Sequence, residues 1–130
     1  DLNGAGGDIL ERVRAFFEKK TTEAEQHGVN KNRLCFDPGI GFGKTNEENF
    51  ALIANPEKIR VPDTALLMAA SRKRVIGAVC GNPPFEDRMA GTVAAHTASV
   101  LFGADMVRAH DTFEAVQAAR VADAIKQFRK

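Results

Sequence analysis

Apolar residues change their period repeatedly along this chain, and each change marks an element. Ile9, Val13, Phe16, Phe17 and Ala24 recur at helical spacing behind Asp8, whose side chain suits an N-cap, and Gly28 stops the run. Residues 33–36 then form a short apolar run of strand type, followed by Asp37 and a loop dense in glycine. Thr45-Asn46-Glu47-Glu48 has the spacing of a capping box, which predicts a short helix over Asn46–Ala54. A second apolar strand is expected over 64–70 and a brief helical turn over 74–79, with Pro83 and Pro84 as punctuation. Over 86–102, Met89, Val93, Thr97 and Val100 make one stripe of a longer helix ended by Gly103, and 105–109 reads as a third strand. Asp111 and Glu114 repeat the capping-box spacing ahead of a last amphipathic helix with Phe113, Val116, Arg120, Ala124 and Phe128 roughly on one side.

The order is therefore a helix followed by three strand-helix units. The connections between strands are long enough for right-handed parallel crossovers, so the fold class is α/β with about three parallel strands and flanking helices. No internal repeat, low-complexity tract or linker divides the chain. Residues 1–7 read as a loose terminus, and 8–130 as one unit. In parallel α/β folds, ligands meet the loops that follow the strands. The first strand ends in Asp37 with its glycine loop, the second in Ser71-Arg72-Lys73, and the third in Arg108-Ala109-His110-Asp111. Three apolar runs each deliver ionisable groups to the same edge, which solvation alone does not explain.

Composition narrows the function classes. The chain has 130 residues, 44% hydrophobic and 27% charged, which describes a globular unit with a real core. Its 18 basic and 17 acidic side chains include no dense basic run, so neither nucleic acid nor an acidic membrane surface is expected as the main partner. Cys35 and Cys80 make neither a disulfide framework nor a metal cluster, and no apolar stretch approaches membrane-spanning length. A cytoplasmic location is the expectation.

Read singly, each motif has a plain alternative. Glycine is the default wherever φ must be positive, so the Gly39-to-Gly43 segment is also a candidate tight turn. A phosphate-binding P-loop fails by one residue, because three residues separate Gly39 from Gly43 where that motif needs four. Ser71-Arg72-Lys73 reads equally as a helix start with solvated charges. Asp111 reads as a helix cap rather than a catalytic acid, His96 as a packing histidine and His27 as a solvated one.

Taken together and in this order, the strand ends resemble those of the dihydropteroate synthase family, pterin-binding TIM-barrel enzymes of folate synthesis. Asp37-Pro38-Gly39-Ile40-Gly41-Phe42-Gly43-Lys44 is similar to its acidic glycine-rich motif, Ser71-Arg72-Lys73 to its lysine motif, and Arg108-Ala109-His110-Asp111 to its closing motif. The likeness also runs through Asp8-Ile9-Leu10-Glu11, the Gly77 turn and Arg88-Met89-Ala90-Gly91-Thr92. It implies the C-terminal part of a (β/α)8 barrel. It also implies condensation of 6-hydroxymethyl-7,8-dihydropterin pyrophosphate with 4-aminobenzoate to give 7,8-dihydropteroate and pyrophosphate. On that resemblance Asp37 anchors the pterin, and Lys73 donates to the pterin's acceptor side while its stem and Phe42 shape the aminobenzoate slot. Gly41, Ser71 and Arg72 are pocket groups, and Arg108 and His110 stand beside the leaving pyrophosphate. Lys73, Arg108 and His110 are the catalytic candidates.

The chain departs from that family in two places. Ala109 stands where a larger branched residue is common, and a complete barrel has about 250 residues and eight strands. The portion not represented carries an asparagine that helps bind Mg2+ and phosphate, further pterin contacts and two mobile loops. The expected partners are therefore the substrates together with a missing N-terminal half or a second copy, a homodimer being the expected assembly. A folate-binding module of a corrinoid methyltransferase would keep Asp37 without needing Arg108 and His110. A non-catalytic binding fragment is the third possibility.

Overall fold

In a computed structural model, residues 7–130 are described. The expectation of a loose 1–7 terminus falls almost wholly outside them. Helix α1 (Ile9–Gln26) begins where the Asp8 side chain accepts the Glu11 N–H, and it ends at His27 before Gly28 takes φ +82°. Three strand units follow. They comprise β1 (Cys35–Phe36) with α2 (Asn46–Ala54) and α3 (Pro56–Ile59), β2 (Ala65–Met68) with α4 (Arg74–Ala78) and α5 (Met89–Leu101), and β3 (Met106–Val107) with α6 (Thr112–Gln127).

All pairing is parallel, in the order β1-β2-β3, with Cys35 opposite Ala65, Phe36 opposite Leu66, Leu67 opposite Met106 and Met68 opposite Val107. This register sorts the side chains. Phe36, Leu66, Met68 and Val107 face the helices and join a core with Ile9, Val13, Phe17, Leu52, Ile53, Ile59 and Ile76. Phe17 stacks on Phe36 with ring centroids 4.6 Å apart, which fixes α1 against β1. The opposite face carries Cys35 and Met106, both exposed, their sulfurs 4.0 Å apart across β2. Arg60, just past α3, donates to the Gly103 carbonyl and to Asp105, whose other oxygen accepts the Leu66 N–H. That clamp ties the start of β3 to β2.

Several elements are shorter than their sequence patterns. The expected 33–36 strand is Cys35–Phe36, since Arg33 ends a 3-10 turn over Lys31–Arg33 that begins where the Asn30 side chain accepts the Asn32 N–H. The expected 64–70 strand is Ala65–Met68, since the Ala70 N–H is taken by a histidine instead of a neighbouring strand. The expected 105–109 strand is Met106–Val107, although Asp105 and Arg108 still donate to β2 carbonyls. Helix α5 starts at Met89, three residues later than predicted, after a 3-10 turn over Phe85–Asp87.

The buried stripes differ from prediction too. In α5 the buried residues are Thr92, Ala95, His96, Ser99 and Val100, not the Met89-Val93-Thr97 row. Their polar atoms have partners, as where the Ser99 hydroxyl donates to the Ile53 carbonyl, so hydropathy alone undervalues that face. In α6 the covered side is Ala115, Ala118, Ala119 and Ala122, packed toward α5, while Phe113, Val116 and Phe128 are exposed. Small alanines let two helices approach closely, a preference that outweighs the larger apolar row here.

Leu52, wholly buried between α1 and the α4–α5 pair, reports on this packing. Leu52→Ala is expected to cost about 3 kcal/mol of unfolding free energy in a urea titration. A loss under about 1 kcal/mol would mean that the helices do not close on this side chain as described.

Candidate functional site

The first rim segment is the loop after β1. Asp37 accepts the Gly39 N–H at 2.8 Å on one carboxylate oxygen, which starts the turn, and Phe42 N–H closes it on the Gly39 carbonyl at 3.1 Å. Lys44 donates to the carbonyls of Gly39 and Phe42 at 2.9 and 3.0 Å, and Asn49 of α2 accepts the Gly41 N–H at 3.0 Å. Gly41 is required for two reasons. It holds φ +88°, and a Cβ there would lie 3.3 Å from the Lys73 side chain. Thr45 and Glu48 complete the predicted capping box and launch α2.

Lys73 links this loop to the second strand end. Its ammonium donates to the Ile40 carbonyl at 2.5 Å and lies 5.0 Å from the centre of the exposed Phe42 ring. Burial lowers its pKa, Asp37 opposes that shift, and Arg108 and Lys44 add to it. Burial likewise lowers the pKa of Lys44. Two hollows meet at Lys73. One, of about 370 Å³, is lined by Ala69, Ser71, Lys73, Arg108, Ala109 and His110. The other, of about 480 Å³, includes Gly41, Phe42, Lys44, Asn49, Lys73 and Arg74.

Arg72 has a different place. With φ +55°, it turns its guanidinium onto Asp111 through two hydrogen bonds of 2.7 and 3.2 Å, over the Phe85 ring at 5.0 Å, and it lines neither hollow. Arg88 and Thr92 hold its backbone. The Arg72 hydrogen bonds hold Asp111 below the usual carboxylate range, with burial opposing. Asp111 therefore corrects the capping-box reading: it sits at the N-cap position of α6 but makes no side-chain cap, because Arg72 has captured its oxygens.

At the third strand end, Arg108 and His110 both reach the 370 Å³ hollow, and no acidic side chain pairs with Arg108 among the described residues. Ser71 Oγ lies 2.7 Å from His110 Nδ1 and accepts the His110 backbone N–H at 3.0 Å. Gly41, Phe42, Ser71, Lys73, Arg108 and His110 are thus gathered at one rim, while Asp37 borders it through its field on Lys73. The sequence reading missed Asn49, Lys44 and Phe85. Asn49, a polar residue on the apolar side of a short helix, was the one local signal available. Among the described residues, no three of His, Cys, Asp and Glu gather around a common point that could hold a metal ion.

Comparison with known proteins decides the family. Residues 2–110 match the model of the pterin binding enzyme family. The chain belongs to the pterin binding enzyme family. Similar members of that family include the dihydropteroate synthases of Synechocystis sp., 36% identical over 92% of this chain and 41% of the relative, and of Escherichia coli K12, 35% identical over 90% and 41%. Among solved structures, the Xanthomonas albilineans dihydropteroate synthase with 4-aminobenzoic acid superposes at a TM-score of 0.88, with 35% identity over 96% of this chain and 47% of that one. The Burkholderia cenocepacia enzyme complexed with 7,8-dihydropteroate gives 0.87, with 36% identity over 95% and 46%. The chain therefore spans about half the length of these solved pterin binding enzymes, and between 17% and 41% of the curated relatives that head the comparison. The observed fold is the C-terminal part of their TIM barrel, with three parallel strand units.

Beneath the rim, His96 of α5 is 3% exposed, and its Nε2 accepts the Ala70 N–H at 3.0 Å. Burial, aided by the charge of Lys73, pushes its pKa down to about 4. The folded state holds the imidazole neutral, so its contribution is complete above the unfolded value of about 6.5 and is lost as pH falls through the folded value. Urea unfolding is expected to show about 2–3 kcal/mol less stability at pH ~4.5 than at pH ~7, a difference that shrinks in His96→Gln. Parallel pH profiles for the two proteins would refute the assignment.

Proposed function

We propose that this chain carries the C-terminal part of a dihydropteroate synthase active site. The reaction would condense 6-hydroxymethyl-7,8-dihydropterin pyrophosphate with 4-aminobenzoate, giving 7,8-dihydropteroate and pyrophosphate. The observation that carries the reading is the convergence of Lys73, Arg108 and His110 on one hollow, with Asp37 at its border. The match to family members solved with 4-aminobenzoic acid and with 7,8-dihydropteroate supports it.

The residue types suit that chemistry. A pterin offers adjacent amino and ring N–H donors, and the Asp37 carboxylate accepts both while keeping its turn bond to Gly39. Lys73 donates to the pterin's acceptor edge, and its stem with Phe42 and Gly41 forms the wall of the aminobenzoate slot. As the carbon–oxygen bond breaks, its electron pair leaves with pyrophosphate. The amine nitrogen supplies the pair for the new carbon–nitrogen bond and then loses a proton to water. Negative charge grows on the departing diphosphate, where the Arg108 fork and the His110 ring are placed to receive it. Ser71 and Arg72 hold this rim. No covalent intermediate is needed, since binding, orientation and charge stabilisation suffice.

A Mg2+ ion belongs to the same proposal only with ligands from outside this chain, because the described residues build no cluster for one. The unpaired thiols Cys35 and Cys80 support a cytoplasmic location. The exposed inner face of the sheet calls for the remaining strands of the barrel as a partner. The exposed Val121, Ile125 and Phe128 of α6 support a second copy as well.

Two measurements test this reading. In calorimetric titrations, Asp37→Asn is expected to weaken pterin binding by roughly tenfold to a hundredfold, because a donor then opposes a donor, and to leave pyrophosphate affinity unchanged. Arg108→Ala should do the reverse, and equal losses for both ligands would remove the division of labour. Equilibrium sedimentation is expected to show self-association, and a dilute monomer with a fully protected core would count against the partnered reading.

A further inference from the structure

The ends of β2 and β3 are cross-linked by two adjacent pairs, Ser71 with His110 and Arg72 with Asp111, whose partners are 39 residues apart in sequence in each case. The first pair meets at one oxygen. Ser71 Oγ accepts the His110 backbone N–H at 3.0 Å, and the same oxygen lies 2.7 Å from His110 Nδ1. A hydroxyl has one proton and two lone pairs; the backbone N–H takes one lone pair, and among the described residues Nδ1 is the acceptor in reach of that proton, which would otherwise be buried without a partner. Nδ1 is then the acceptor, so the neutral ring carries its proton on Nε2.

The second pair removes the competitor. Asp111 directly follows His110 and interacts with it electrostatically, but both of its oxygens are bonded to the Arg72 guanidinium. Phe85 meets the imidazole edge-on, with ring centroids 5.3 Å apart and planes at 85°, which limits rotation of the ring. Ser71 is buried, whereas His110 is exposed toward the hollow it shares with Arg108 and Lys73.

From this geometry we infer that Ser71 is a positioning residue that fixes His110 as an Nε2–H donor aimed at the phosphate-binding side of the site. This deepens the reading proposed above and rests on it for the identity of the ligand. The hold on the ring itself needs no ligand. Neutral His110 presents one hydrogen-bond donor at a set orientation beside Arg108, and a diphosphate oxygen is the acceptor that matches the pair. Orienting the donor before the ligand arrives spares the entropy of choosing a tautomer and rotamer on binding.

The test uses the 130-residue chain labelled with 15N. A two-bond 1H–15N correlation spectrum at neutral pH should show His110 with an unprotonated Nδ1 and a protonated Nε2. Ser71→Ala should give signals averaged between tautomers, and Ser71→Thr should restore the single form. Titration with inorganic pyrophosphate should show about tenfold weaker binding for Ser71→Ala and recovery in Ser71→Thr. A proton on Nδ1 in the unsubstituted chain overturns the inference, whether or not the alanine variant folds, as does an unchanged spectrum in folded Ser71→Ala. If the spectra behave as expected while pyrophosphate binds none of the proteins, Ser71's hold on His110 stands and the leaving-group assignment of the hollow falls.

Discussion

Everything at the rim depends on three strands running the same way. In a parallel ladder each strand begins at one edge of the sheet and ends at the other, and the returning chain must travel back outside, as a helix, before the next strand starts. Pairing in the order β1-β2-β3 therefore brings the ends of three distant segments to one edge. Lys73, Arg108 and His110 are neighbours for that reason alone. An antiparallel strand anywhere in the set would have sent one group to the opposite side. The helix layer enforces the arrangement, since Leu66 and Met68 are buried, and Phe36 and Val107 partly covered, only when all three strands present the same face to the helices.

Like charges gather at such a rim, and the local structure is built to tolerate this. Arg108 and Lys44 lie close enough to Lys73 for each to disfavour its protonation, and Asp37 is the acid that opposes them. Backbone carbonyls do much of the rest. Those of Gly39, Ile40 and Phe42 all accept from a lysine ammonium, so the glycine loop serves as the solvation shell of two cations. This accounts for a loop rich in positive-φ glycine: its carbonyls must converge inward, a geometry that a chain of β-carbons would obstruct. Arg72 is neutralised separately by Asp111, which leaves Arg108 as the guanidinium facing the hollow.

Much of this was legible in the residues. The order of elements followed from the switching apolar period, the capping box at Thr45 and Glu48 formed as its spacing required, and each polar cluster after an apolar run fell at a strand end. What local patterns hid has a common cause in contacts distant along the chain. Asp111 lost its cap to an arginine 39 residues away, and the Ala70 N–H left the ladder for His96, 26 residues away. The buried stripe of α5 is polar by composition because Thr92, His96 and Ser99 satisfy backbone groups of other elements. The inward face of α6 is alanine because α5 lies close beside it. Periodicity reports which side of an element can be apolar, and the neighbours decide which side is covered.

The face of the sheet turned away from the helices extends the same logic to the whole site. Side chains alternate along a strand, so residues two apart share a face. Cys35 stands two residues before Asp37, Leu67 two before Ala69 and four before Ser71, and Met106 two before Arg108 and four before His110. Each strand thus carries one of Cys35, Leu67 and Met106 on this face and is followed, past its last residue, by a polar or ionisable group, with Cys35 and Met106 meeting across β2. In the solved relatives this chain accounts for about half of the length, and a closed barrel would bury that apolar row as the floor beneath the charged rim. Such a cover would remove water from below the rim, where Lys73 is already partly desolvated and each further loss of solvent strengthens its interaction with any opposite charge. The exposed face and the charged rim therefore belong to the same three strand units, so whatever covers the one also changes the solvation of the other.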